Sequence, residues 1–269
     1  MELRRYGSPG RSQAARRVCL LHGGPGARGH MAPVARELAA RGLSVLEPLQ
    51  RLSGSEPLTV GRHVADLDEL MQSAGEAAPP PALVGSSWGA MLALAYAAAH
   101  PERAGPIVLI GCGTFDGASR AEFKRRLHGR LGEAGRRRLE ELRAIGDPDQ
   151  RLGAIGDFLT PFYSHDLLSA DLEIERNDGR GNTETWADMI RLQEAGTYPQ
   201  AFSDLRSPVL MLHGAGDPHP GAMIRDSLLP RVRRLEYVEL DRCGHYPWLE
   251  RHARRRFFET LEAWLRAAR

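Results

Sequence analysis

Lysine is almost absent: Lys124 is the only one, so 35 of the 36 basic residues are arginines, a bias of composition before it is a sign of function. Thirty-four acidic residues bring the net charge to only +2. That is too little to draw a nucleic-acid partner by bulk attraction. Aromatic residues make up 6% of the 269 positions against 42% hydrophobic overall, which suits a globular chain and excludes a disordered or collagen-like one. The longest unbroken apolar run, Ala90 to Ala99, is ten residues, about half of what a membrane helix needs. Behind the charged opening Met1–Gly10 no apolar stretch follows, so no secretory signal is read there and a cytoplasmic location is expected. Cysteine is scarce. Cys19, Cys112 and Cys243 are odd in number, far apart and without metal-ligand spacing, which points to free thiols in a reducing compartment.

Short apolar runs alternate with helical patterns over the first 112 residues. Val18–His22, Leu43–Glu47, Ala82–Ser86 and Ile107–Ile110 read as strands, bounded mostly by Gly or Pro. Between them, residues 30–41, 59–73 and 87–100 carry apolar positions at helical spacing, such as Val60, Val64, Leu67 and Met71. That alternation predicts right-handed crossovers and a mostly parallel sheet flanked by helices, an α/β fold. From Gly113 to about Arg206 no strand is expected, only helices rich in Leu, Arg and Glu, cut at 146–148 and 177–179. The basic residues of that stretch, from Arg120 to Arg143, are interleaved with glutamates and read as a solvated helical face. Val209–Leu212, Leu235–Leu240 and an amphipathic helix around 248–267 restore the first rhythm. Core segments 1–112 and 207–269, interrupted by a helical lid at 113–206, account for both patterns.

Gly85-Ser86-Ser87-Trp88-Gly89 joins a buried strand to a helix, the setting of a nucleophile elbow. Small residues two before and two after the serine are needed because the turn is too sharp for side chains. A serine hydroxyl also needs a base, and the base an orienting carboxylate. Asp217 falls in the loop after the strand Val209–Leu212, and His245 in the loop after Leu235–Leu240. Strand ends beside one crevice can unite Ser87, Asp217 and His245. Asp241, four residues before His245, is a competing acid, and Cys243 a competing reactive group. For an oxyanion, the backbone N–H groups of Trp88 and of Gly24 in the loop His22-Gly23-Gly24-Pro25-Gly26 are the candidates, with Gly23 the alternative to Gly24. His213 and His22 read as strand-end residues, His100 as a helix end, and His63, His128, His165 and His252 as surface or lid residues.

The His-Gly-Gly-Pro-Gly loop and the Gly-x-Ser-Trp-Gly elbow together resemble the α/β-hydrolases, in their proline iminopeptidase branch. The resemblance spans residues 15–112 and 207–267 and implies an α/β-hydrolase fold with an inserted helical lid. It implies Ser87 as nucleophile, Asp217 as acid, His245 as base, and Gly24 and Trp88 at the oxyanion. The segment Leu49-Gln50-Arg51-Leu52-Ser53-Gly54 keeps only Gln50, Arg51 and the final glycine of the Asp-Gln-Arg-Gly-x-Gly stretch of that branch, and Ser86 and Ala90 stand where it usually carries glycine and serine. An aminopeptidase of this type also needs lid carboxylates for the substrate's ammonium group; Glu173, Glu175, Glu184, Asp188 and Glu194 are available.

The expectation is a serine hydrolase acting on a small-molecule ester or amide, or on a short peptide, without metal or organic cofactor: no ligand cluster and no phosphate loop is present. An iminopeptidase is the alternative, and a non-catalytic ligand-binding protein on the same fold the second. Dehalogenase or epoxide hydrolase chemistry would require an aspartate at position 87. Phe158, Phe162, Tyr163, Trp186 and Met189 either line an acyl pocket or form the core of the lid, and Phe162, Trp186 and Glu184 are carried forward as substrate-binding candidates.

Overall fold

Val18, Leu20, Ala82, Val84, Val108, Ile110, Leu210 and Leu212 point to one side of a sheet, while Cys19, Leu21, Leu83, Ile107, Leu109, Val209 and Met211 point to the other. Both sets are buried, which is why these strands read as continuous apolar runs rather than alternating ones. A computed structural model describes residues 2–7, 17–73 and 79–268; parts of the opening segment read for a signal, and residues 15 and 16 of the family resemblance, lie outside them. The seven strands of the sheet are β1 (Glu2–Tyr6), β2 (Arg17–Leu21), β4 (Ser44–Leu49), β5 (Ala82–Ser86), β6 (Ile107–Ile110), β8 (Val209–Gly214) and β9 (Leu235–Leu240). Their order is β1-β4-β2-β5-β6-β8-β9, parallel except for the antiparallel edge strand β1.

Helices α1 (Ala32–Ala40) and α8 (Arg254–Ala267) cover one face, with α2 (Val60–Ser73) and α3 (Trp88–Ala99) on the other. The ten residues Trp88 to Ala97 at the start of α3 are all buried, as a helix apolar on every side must be. After β6 come α4 (Gly117–Arg143), kinked at Gly132 with φ 60°, then α5 (Pro148–Tyr163) and α6 (Gly179–Glu194). The two breaks seen in the sequence are helix starts. Asp147 accepts from the N–H groups of Asp149 and Gln150, and Asp178 from that of Gly181, each capping donors that have no intrahelical partner. Helix α7 (Gly221–Leu228) follows β8. No helix among the described residues is long and apolar enough to cross a membrane.

Three departures from the sequence reading have simple causes. The edge strand β1, Glu-Leu-Arg-Arg-Tyr, lacks an apolar pattern and exists through its ladder with β4. The segment expected to hold no strand contributes β7 (Arg176–Asn177), paired antiparallel with β3 (Ala27–Arg28); two residues carry no periodicity. The final helix begins at Arg254, after a separate 3-10 turn at Pro247–Leu249.

Candidate active site

Ser87 stands between β5 and α3 with φ 53° and ψ −116°, a strained conformation for a residue with a side chain. Its N–H donates to Ile110 O at 2.8 Å, anchoring the turn to the neighbouring strand. A Cβ on Gly85 would collide with the backbone of Gly89, and one on Gly89 with the carbonyls of Leu21 and His22. Glycine at both positions is therefore a steric requirement. Trp88 heads α3, so its N–H has no carbonyl one turn earlier to bond.

The parallel order places the ends of β8 and β9 beside the elbow. Asp217 follows β8 by three residues and is 1% exposed; His245 follows β9 by five and is 3% exposed. His245 Nδ1 lies 2.6 Å from Asp217 Oδ2, a short charge-assisted contact. With the carboxylate ionised, Nδ1–H donates and Nε2 is left basic. Burial by itself would push the Asp217 carboxyl up, but the imidazoles of His245, His219 and His213 overrule it and hold the group well below the usual carboxylate range. Asp241 is exposed, and burial pushes the Cys243 thiol up, away from the reactive thiolate form.

His219, which sequence reasoning passed over, belongs to this cluster. Its backbone N–H and ring Nδ1 both contact Asp217 Oδ1, at 2.8 and 2.9 Å. The ring stacks on His245 with centroids 4.8 Å apart and on Phe123 at 4.2 Å. Burial lowers its pKa below the ordinary histidine value despite the carboxylate beside it. The signal in the sequence was proximity alone, two residues past the acid. Among the described residues, Asp217, His219 and His245 are the one group whose ligand atoms, within 4.8 Å of one another, could hold a metal ion. Here the carboxylate oxygens are taken up in hydrogen bonds to the rings.

The glycine loop after β2 is fixed by buried polar groups. His22 Nε2 accepts from Gln50 N–H at 3.1 Å, Gln50 Nε2 donates to His22 O, and Trp88 Nε1 donates to Gln50 Oε1, both at 2.8 Å. One buried amide thus bridges the loop and the residue after the serine. Gly23 N–H is spent on His30 Nε2 at 3.2 Å, whereas Gly24, with φ 43°, lines the cavity in front of Ser87. Gln50→Ala would orphan the Trp88 indole N–H and the His22 carbonyl together. A loss of about 2–4 kcal/mol in urea unfolding is expected.

That cavity, about 450 Å³, is lined by Ser87 and His245 and walled by apolar side chains of the helical segment, among them Leu152, Leu159, Leu172, Ile174 and Ile190. Trp186 lines it and meets Trp88 edge to face. Phe162 does not; it packs with Phe158 against Leu127, Leu131 and Leu139, while its neighbour Tyr163 reaches the cavity. Met189 is also buried core. Glu184 is corrected in the same way: its carboxylate accepts from Leu58 N–H and pairs with Arg180, outside the cavity lining. Glu173 pairs with Arg36, Glu175 with Arg4, Asp188 with Arg191, and Glu194 is exposed. His63, expected at the surface, is buried against Trp88 and contacts Thr185 at 3.1 Å.

Several hydrogen bonds fasten the helical segment to the loops of the site. Asp178 N–H donates to Gly26 O, and Asn182 Nδ2 to Pro25 O, both at 2.8 Å. Arg130 donates to Phe162 O and Gly216 O at 2.8 and 2.6 Å. The buried Glu250 carboxylate accepts from Gly244 N–H on one side and from His165 and Asp166 N–H on the other, at 2.7–2.8 Å. Trp248 stacks on His30 at 6.0 Å, beside the cavity.

Residues 20–259 match the model of the alpha/beta hydrolase family. Among solved structures, the chain is similar to a thermophilic esterase from Thermogutta terrifontis, with TM-score 0.70 and 19% identity over 99% of this chain and 93% of that one. It is similar to the enol-lactonase from Burkholderia xenovorans LB400, with TM-score 0.69 and 17% identity over 98% and 95%. An esterase from Exiguobacterium antarcticum matches with TM-score 0.67 and 16% identity over 98% and 94%.

Proposed function

The chain belongs to the alpha/beta hydrolase family, and we propose that it is a serine hydrolase that cleaves small esters or lactones through an acyl-enzyme, with Ser87, His245 and Asp217 as its triad. The observation that carries this reading is the 2.6 Å contact between Asp217 and His245 at the wall of the cavity that the strained Ser87 also lines.

In the first step Ser87 Oγ bonds to the carbonyl carbon while its proton passes to His245 Nε2. The negative charge on the carbonyl oxygen is met by the N–H groups of Gly24 and Trp88. The bond to the leaving oxygen then breaks, and that oxygen takes the proton from His245. Water repeats the sequence: it gives a proton to His245 and its oxygen to the acyl carbon. The acid leaves and Ser87 regains its hydrogen. Asp217 remains ionised throughout and stabilises the imidazolium. Esterase and lactonase structures among the similar proteins favour this reading. So does a cavity lining that holds no carboxylate among the described residues, where an ammonium group would instead meet Arg120 and Lys124.

A fluorophosphonate probe is expected to label Ser87, identified by peptide mass analysis, and 4-nitrophenyl esters to be hydrolysed in preference to prolyl-naphthylamide. Folded protein that stays unlabelled and turns over no ester would leave the ligand-binding reading in its place. Release from the naphthylamide alone would restore the iminopeptidase.

A further inference from the structure

Building on the hydrolase reading of the same cavity, we infer that the substrate carries a carboxylate remote from the scissile carbonyl, and that Arg120 and Lys124 bind it. Arg120 and Lys124 sit one turn apart on α4 and both line the cavity. Among the described residues no aspartate or glutamate lines it with them. The carboxylate of Asp217 is engaged by its hydrogen bonds with His219 and His245.

Elsewhere on α4 the cations have protein partners of two kinds: Arg130 and Arg136 donate to backbone carbonyls, and others pair with glutamates. Arg125 and Arg126 both pair with Glu122, Arg138 with Glu141 and Arg143 with Glu140. Arg120 and Lys124 have no such carboxylate among the described residues. Among the described residues the one side-chain hydrogen bond of Arg120 is to Gln193, a neutral amide, and its Nε is buried with no acceptor. Lys124 makes no hydrogen bond or ion pair there. The half-buried guanidinium keeps charge that no carboxylate among the described residues neutralises, and an anion in the cavity would do so. A carboxylate fits its planar fork, and the ammonium of Lys124 supplies a second, more flexible charge. The apolar wall formed by Leu152, Leu159, Ile174 and Ile190 would take the hydrocarbon chain between the two ends of such a molecule.

The kinetic test compares the mono-4-nitrophenyl ester of pimelic acid with its methyl ester, which has the same chain and no charge. Wild type is expected to favour the anionic ester by roughly tenfold or more in kcat/KM. Arg120→Gln and Lys124→Gln should each lower that preference by about tenfold, chiefly through KM, with the effect shrinking at high salt. Equal kcat/KM for the two esters, or equal losses on both in the variants, would overturn the inference while leaving the hydrolase intact. A second arm needs no turnover: calorimetric titration of Ser87→Ala with pimelate and with dimethyl pimelate. Tighter binding of the dianion, lost on adding Lys124→Gln, supports the site even if no ester is cleaved, an outcome that would count against the hydrolase alone. Indifference to the charge in this arm overturns it.

Discussion

Asp217→Asn is expected to lower kcat for ester hydrolysis by about 10⁴-fold, and to cost nothing further when combined with Ser87→Ala. The asparagine has one acceptor oxygen and one NH₂ where the carboxylate now serves two imidazoles. Oδ1 meets both the N–H and the ring Nδ1 of His219, and Oδ2 meets His245 Nδ1. Placing the amide oxygen toward His219 turns NH₂ toward His245 and forces its proton to Nε2. In that tautomer the imidazole donates toward Ser87 and cannot take its hydrogen. The loss is therefore in kcat with little change in KM, and a pre-steady-state burst of nitrophenol should disappear. The double variant should match Ser87→Ala because in the proposed triad Asp217 acts only through His245 on the serine. Additive losses in the double variant would show that the carboxylate has another task.

Acidification supplies the second large effect. Between pH 7 and pH 4 the protein is expected to lose stability on the order of 5 kcal/mol, read as a falling urea midpoint. Burial lowers the pKa of His22 to about 3, of His30 to about 4 and of His63 to about 4. Two of these rings accept a backbone N–H, from Gln50 and from Gly23, so protonation would set donor against donor. The unfolded chain takes up these protons near the ordinary histidine pKa, and the folded protein does so only well below it. Stability is therefore whole above the unfolded value and drains away as pH falls toward the folded ones. Asp217, also depressed, extends the loss to still lower pH. Glu47, which burial raises above its ordinary value, works in the opposite direction and offsets a part. His63→Gln should be less stable at pH 7 and flatter with pH. A midpoint that does not move between pH 7 and pH 4 would contradict the argument.

Much of the fold was legible because fully buried parallel strands and an all-apolar helix leave dense signals: Ala82–Ser86, Ile107–Ile110 and Leu235–Leu240 were bounded to the residue. Weakly patterned elements escaped. The strand Glu2–Tyr6 is polar and borrows its stability from β4, and α7 is only eight residues long. In the helical segment the candidates failed selectively. Trp186 reaches the cavity, while Phe162 and Glu184 turn away from it. An aromatic or acidic residue at helical spacing has the same local pattern whichever neighbour its face meets.

From the order of residues alone came the strand-turn-helix around Ser87 and the places of Asp217 and His245 after successive strands, since sterics and strand chemistry are local properties. Packing alone decided the rest: that His219 shares the carboxylate, that Gly23 N–H is consumed by His30 and Gly24 is left facing the cavity, and that Arg120 and Lys124 line its wall. Each of these depends on distances between segments remote in the chain, and such distances exist only once the sheet has brought its strand ends together.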